Sequence, residues 1–186
     1  MYLKQVGFYI KYSENIDIIN EIMIENSCTY EEAIKIDYEK NWKSNKIRRF
    51  DLETRCIASM FERLLGKFKT DDCAKINIEI VENITKKNIS SCMGIYTVQY
   101  KLDYNEFFLK SDEEKKKITL NIIRECIVKI VKEKNWNYEP FECIFNKIIE
   151  SEYNNFWTTK KKFRSPNKLY TGEVYFEHKV KEIDNN

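Results

Sequence analysis

The chain has little of what usually marks a site. It carries one histidine, His178, and four glycines in 186 residues. A phosphate-cradling loop or a dinucleotide fingerprint needs clustered glycines at fixed spacing, and neither pattern is present. Gly-x-Ser-x-Gly and His-Glu-x-x-His are also missing. The six cysteines, Cys28, Cys56, Cys73, Cys92, Cys126 and Cys143, never fall into Cys-x-x-Cys, which removes the commonest zinc and redox spacings. No window approaches about 18 uncharged apolar residues, so no membrane span is expected. The first ten residues lack a basic segment followed by an unbroken apolar stretch, so no secretory signal is expected. Reduced thiols in a cytoplasm follow from that expectation. Charge shows no excess of one sign: 32 basic against 30 acidic residues, formally +2. Such a balance gives no general pull toward nucleic acid or an anionic membrane. Together these absences argue against an enzyme and against a bound metal or cofactor.

Apolar and aromatic residues are plentiful. Hydrophobic residues make up 42% of the chain, with twelve Tyr, eleven Phe and three Trp. A chain of this length can bury roughly 70% of its surface on folding, enough for a core without staples. No linker rich in Gly, Ser or Pro divides it, so residues 1–186 are expected to form one domain. Heavy use of Ile, Lys and Asn fits a low-GC bacterium or one of its phages.

The periodicities alternate between strand and helix. Val6, Phe8 and Ile10 share one face of a first strand. A compact apolar segment over 16–24 reads as helix. Thr29-Tyr30-Glu31-Glu32 and Ser111-Asp112-Glu113-Glu114 are capping boxes. Behind the first, Ala33, Ile34, Tyr38 and Trp42 recur at helical spacing. Asp51 is expected to cap a further helix carrying Cys56, Ile57, Met60, Phe61 and Leu64, which Gly66 ends. Ile76, Ile78 and Ile80 alternate with polar residues, as do Tyr96, Val98 and Tyr100. Leu120, Ile123, Ile127 and Ile130 form the stripe of the clearest helix, and Pro140 suits the first turn of the next. After residue 155 the pattern returns to strand, with a turn signal at Ser165-Pro166-Asn167-Lys168. Strand pairs following helical blocks predict an α+β fold: about five strands in a mainly antiparallel sheet, with helices on one face.

Residues 160–168 hold the sharpest charge asymmetry. Lys160, Lys161, Lys162, Arg164 and Lys168 are interrupted by no acid, and Trp157, Phe156 and Tyr170 flank them. Basic residues interleaved with aromatics can hold phosphates and stack bases. The same set can dock an acidic protein, with Trp and Arg as anchors. Lysines also blunt an exposed edge strand. His178 falls among strand residues with no nucleophile near it in sequence, so a structural role is expected. The paired carboxylates sit at helix starts or in a turn, where capping explains them. The reading that follows is a binding protein, of the kind with which bacteria neutralise a cognate toxin by protein–protein contact. Its working surface is expected at Trp157, Lys160, Lys161, Lys162, Arg164, Lys168 and Tyr170. A nucleic-acid-binding protein using hairpin 160–168 and a phage-encoded inhibitor of host or defence proteins are the alternatives.

Overall fold

The computed structural model describes residues 1–159 and 162–180. Its centre is a sheet built from the three alternating segments. β2 (Gln5–Ile10), β4 (Lys75–Val81) and β6 (Ile95–Lys101) place Val6, Ile76 and Tyr96 in one row across the sheet. Phe8, Ile78 and Val98 form the next row, and Ile10, Ile80 and Tyr100 the third. One face is therefore continuously apolar. The other carries Gln5, Lys75, Asn77, Glu79 and Thr97, and the helices cover only the apolar one. The α+β class and the one-sided helical layer agree with the sequence.

The pairing within the sheet differs from expectation. The order is β2-β4-β6-β5, four strands, and the three long ones run parallel. Two features explain this. The stretch joining β2 to β4 holds most of the helices, and so long a crossover permits parallel neighbours. The polar connector 83–91 conceals part of a strand, β5 (Ser90–Cys92). β5 pairs antiparallel with β6 through the two-residue turn Met93-Gly94, whose φ values of 48° and 79° are both positive, as a type I′ hairpin requires. β6 thus enters between β4 and β5, parallel to β4. A parallel sheet usually has both faces covered and reads as unbroken apolar runs. Here the second face is polar, and the resulting alternation imitates an antiparallel sheet.

Two short strands, β1 (Tyr2–Leu3) and β3 (Phe68–Lys69), pair beside this sheet. The edge of β2 is closed by a side chain: Val6 N–H donates to Glu62 at 2.9 Å. Burial nevertheless pushes the Glu62 carboxyl above its ordinary range, against the pull of that amide and of Arg55.

The helices begin where the caps placed them. Asn15 caps α1 (Ile16–Asn26), and the Thr29 and Ser111 boxes open α2 (Tyr30–Asp37) and α5 (Asp112–Lys134). Ser111→Ala should cost about 1 kcal/mol, measured by urea denaturation, because it removes the acceptor for an otherwise free amide of the first turn. Asp51 caps nothing. α2 passes without a break into a π-helix, Tyr38–Ile47, and on into α3 (Arg48–Leu65), so Asp51 lies inside the helical run. The wider π turns show in Ser44 and Asn45, whose side chains donate to carbonyls five residues back, at 2.9 Å each. After β6 come the short helix α4 (Tyr104–Phe108) and then α5, and α6 (Glu139–Glu150) carries Pro140 in its first turn.

One contiguous core joins α3, α5 and α6 to the apolar sheet face, and Ile76, Ile78, Leu120, Ile123, Ile127, Phe145 and Ile148 are all buried in it. Within that core sits a charged cluster. Glu53 of α3 is buried, with Arg49 Nε 2.6 Å from Oε1 and Lys115 Nζ of α5 2.9 Å from Oε2. Lys115 approaches as an ion pair, but Oε2 receives no well-directed hydrogen bond. Arg49 also donates to the Phe108 carbonyl at 3.2 Å and lies over the Phe108 ring.

All six cysteines are free thiols. Cys56, Cys73 and Cys126 are buried, and burial pushes the Cys73 thiol up to about 11 and that of Cys126 to about 12. Among the described residues no helix is long and apolar enough to cross a membrane.

Candidate functional site

The C-terminal segment forms a β-arm. β7 (Asn155–Thr158) pairs antiparallel with β10 (Tyr175–His178), and farther out β8 (Phe163–Arg164) pairs with β9 (Thr171–Gly172). The turn signal lies at the tip, where the Ser165 hydroxyl donates to Asn167 Oδ1 at 2.6 Å and Lys168 takes φ 60°. Lys168 N–H donates to the Ser165 carbonyl at 2.8 Å, closing the turn.

The arm is short of burial. Phe156, Phe163, Leu169, Tyr170, Val174, Tyr175 and Phe176 are all exposed, with Leu169 at 74% and Tyr170 at 72%. These seven are a large share of the nineteen exposed large hydrophobics among the described residues, gathered within 21 positions. Clustering of this kind marks an interaction surface, whereas scattered apolar residues are ordinary. Phe156 stacks on Tyr175, and Trp157 on Phe176 with centroids 5.2 Å apart. Charge gathers here too: the described residues of 155–180 hold four Lys or Arg, Lys162, Arg164, Lys168 and Lys179, against Glu173 and Glu177. Lys162 pairs with Glu173 at 2.9 Å. Arg164 and Lys168 are exposed and, among the described residues, pair with no carboxylate. Of the residues singled out in the sequence, Trp157, Lys162, Arg164, Lys168 and Tyr170 thus all lie on this arm. Lys160 and Lys161 lie outside the described residues.

A polar cluster that sequence reasoning missed fastens the base of the arm to α3. Asn155 is buried and donates to the Cys56 carbonyl at 2.7 Å and to Ser59 Oγ at 3.0 Å. Arg63 donates to Asn155 Oδ1 at 2.9 Å, and its guanidinium lies 5.0 Å from the Trp157 ring centre. His178, directly opposite Asn155, places Nδ1 3.0 Å from Ser59 Oγ, while the Cys56 thiol donates to its carbonyl. Burial, and then Arg55, hold the imidazole below its ordinary value. The contact joins residues about 120 positions apart, and the only trace in the sequence is that Asn155 and His178 end two strands with matching parity. Ser59 Oγ accepts from Asn155 as well as meeting His178, so these contacts fasten the arm base to α3.

A second concavity opens at the carboxyl ends of the parallel strands. Its volume is about 280 Å³, and Lys11, Tyr12, Trp42, Glu82 and Tyr104 are among its walls. The Tyr12 hydroxyl donates to buried Asp37 at 2.8 Å, and Asn41 supports the other Asp37 oxygen at 2.8 Å. Burial and then Asp37 raise the Tyr12 phenol well above its ordinary value, so it stays protonated and orients the floor. The end of a parallel sheet is a common place for ligands, but one lysine and one glutamate at this mouth select no ligand class. Among the described residues no group of three or more His, Cys, Asp or Glu side chains is placed to hold a metal. No family model matches the chain, and searches of curated proteins and of solved structures give no significant match.

Proposed function

We propose that the protein works by binding another protein through its C-terminal β-arm, and that the partner presents an acidic surface or cleft. The observation that carries this reading is the gathering, on one exposed hairpin, of aromatic and aliphatic side chains with Arg164 and Lys168, which pair with no carboxylate among the described residues. Trp, Tyr and Arg are the residue types that dominate protein–protein binding energy. The outer edges of a two-stranded arm also leave backbone groups able to extend a partner's sheet.

Nucleic acid fits less well. Base-stacking platforms need free ring faces, whereas Trp157 and Phe176 stack on one another and Arg63 lies over Trp157. Leu169 and Val174 add aliphatic surface that stacks no base. Glu173 and Glu177 also neutralise two of the basic side chains.

Within this reading the protein is an inhibitor of the immunity type, met by its target in a bacterial cytoplasm, and its own chemistry is contact and not catalysis. The probe is the protein encoded beside this chain's gene, with a thymidine oligonucleotide as the control ligand. Trp157→Ala or Arg164→Ala should each weaken binding of that protein by about 1–3 kcal/mol while the melting temperature holds. Unchanged affinity in both variants overturns the reading. So does tight oligonucleotide binding that falls steeply with salt, the mark of phosphate contacts.

A further inference from the structure

The base of the arm suggests that its attachment is adjustable. His178 is the only histidine in the chain, and it sits in the cluster that fastens the arm to α3. Two contacts there depend on its strand being in place: the hydrogen bond between Nδ1 and Ser59 Oγ, at 3.0 Å, whose hydroxyl also reaches the Cys56 carbonyl at 3.2 Å, and the bond from the Cys56 thiol to the His178 carbonyl. On the arm's other strand, Asn155 shares the same Ser59 oxygen. We propose that Ser59, Asn155 and His178 form a proton-operated latch: neutral His178 holds the arm base against α3, and the imidazolium loosens it.

Among the described residues, the charges around His178 set the direction. Arg55 and Arg63 of α3 carry the same sign as an imidazolium, and Arg63 is already committed to Asn155. On the histidine's own strand Glu177 is paired with Lys179 at 3.3 Å, so its attraction is largely used. Asp112 and Lys116 of α5, one charge of each sign, line the same cavity as His178. Partial burial then works against the charged form. A histidine whose folded pKa lies below its unfolded value of about 6.5 binds its proton more weakly in the fold. Its contribution is therefore complete above that value and is lost as pH falls below it.

The latch bears on the proposed binding surface, because it would set how the arm is presented, but it is tested without any partner. Amide hydrogen exchange is followed by mass spectrometry on the free protein at about pH 7.5 and about pH 5.5, corrected for intrinsic rates. The wild-type protein should lose protection severalfold at 155–158 and 175–178 on acidification, while β4 stays protected. His178→Gln, which keeps a hydrogen-bonding side chain that does not titrate, should show no such difference. Ser59→Ala should exchange fast at the arm base at both pH values. The latch is wrong if the wild-type arm base is equally protected at both, if His178→Gln retains the pH effect, or if β4 loosens together with the arm. A latch that passes this test while the neighbour protein fails to bind would separate the two proposals.

Discussion

Lys115→Ala should destabilise the protein by about 3–5 kcal/mol, the largest effect expected of any single polar substitution here. Both partners of the ion pair are almost fully buried: the side chains of Lys115 and Glu53 are 2% and 0% exposed. Removing the ammonium leaves the Glu53 carboxylate in the core with Arg49 alone, and Oε2, which has no directed hydrogen bond even now, loses its only counter-charge. The cost is that of an uncompensated buried charge, not the net worth of the pair. The double variant Lys115→Met, Glu53→Leu should recover most of the loss, because it removes the charge together with its partner. Urea denaturation with an unchanged slope measures both. A loss below about 1 kcal/mol in the single variant would mean that water reaches this pair as it reaches surface pairs.

Ile123→Ala should cost about 2–5 kcal/mol. Ile123 is 0% exposed, in the middle of the α5 stripe with Leu120, Ile127 and Ile130. The truncation removes apolar area from the region where α5 meets α3 and the sheet, and leaves a cavity between rigid elements that cannot collapse to fill it. Thermal and urea unfolding should agree on the size of the loss. A cost under about 1 kcal/mol would contradict the assigned helix phase, since an exposed isoleucine leaves no cavity.

Local signals in the sequence specify local structure well in this protein. Both capping boxes form with their reciprocal bonds, Gly66 ends α3, Pro140 sits in the first turn of α6, and the isoleucine face of β4 is buried. Each of these depends on side chains within four residues of one another, or on one repeating period. What the sequence did not disclose is non-local. The parallel order of β2, β4 and β6 depends on a three-residue strand hidden in a polar connector, and on a polar sheet face that makes parallel strands alternate. The π-helix is masked because Ala33, Ile34, Tyr38 and Trp42 recur at α-helical spacing, and the wider five-residue step from Trp42 to Ile47 occurs only once. At the candidate site the basic and aromatic residues of the arm were legible as composition. Their exposure together on one hairpin, and the Ser59–Asn155–His178 attachment at its base, required the pairing of β7 with β10 and the position of α3.

The central claim is that the arm is the surface that meets a protein partner. The most direct measurement is a hydrogen-exchange footprint of this protein alone and saturated with the protein encoded beside its gene. Protection should increase at 155–158 and 162–178 and change little over α2 and the π-helix, where Glu31, Glu32 and Glu39 offer the opposite charge. Protection gained along 30–47, with the arm exchanging as fast in the complex as in the free protein, would contradict the account.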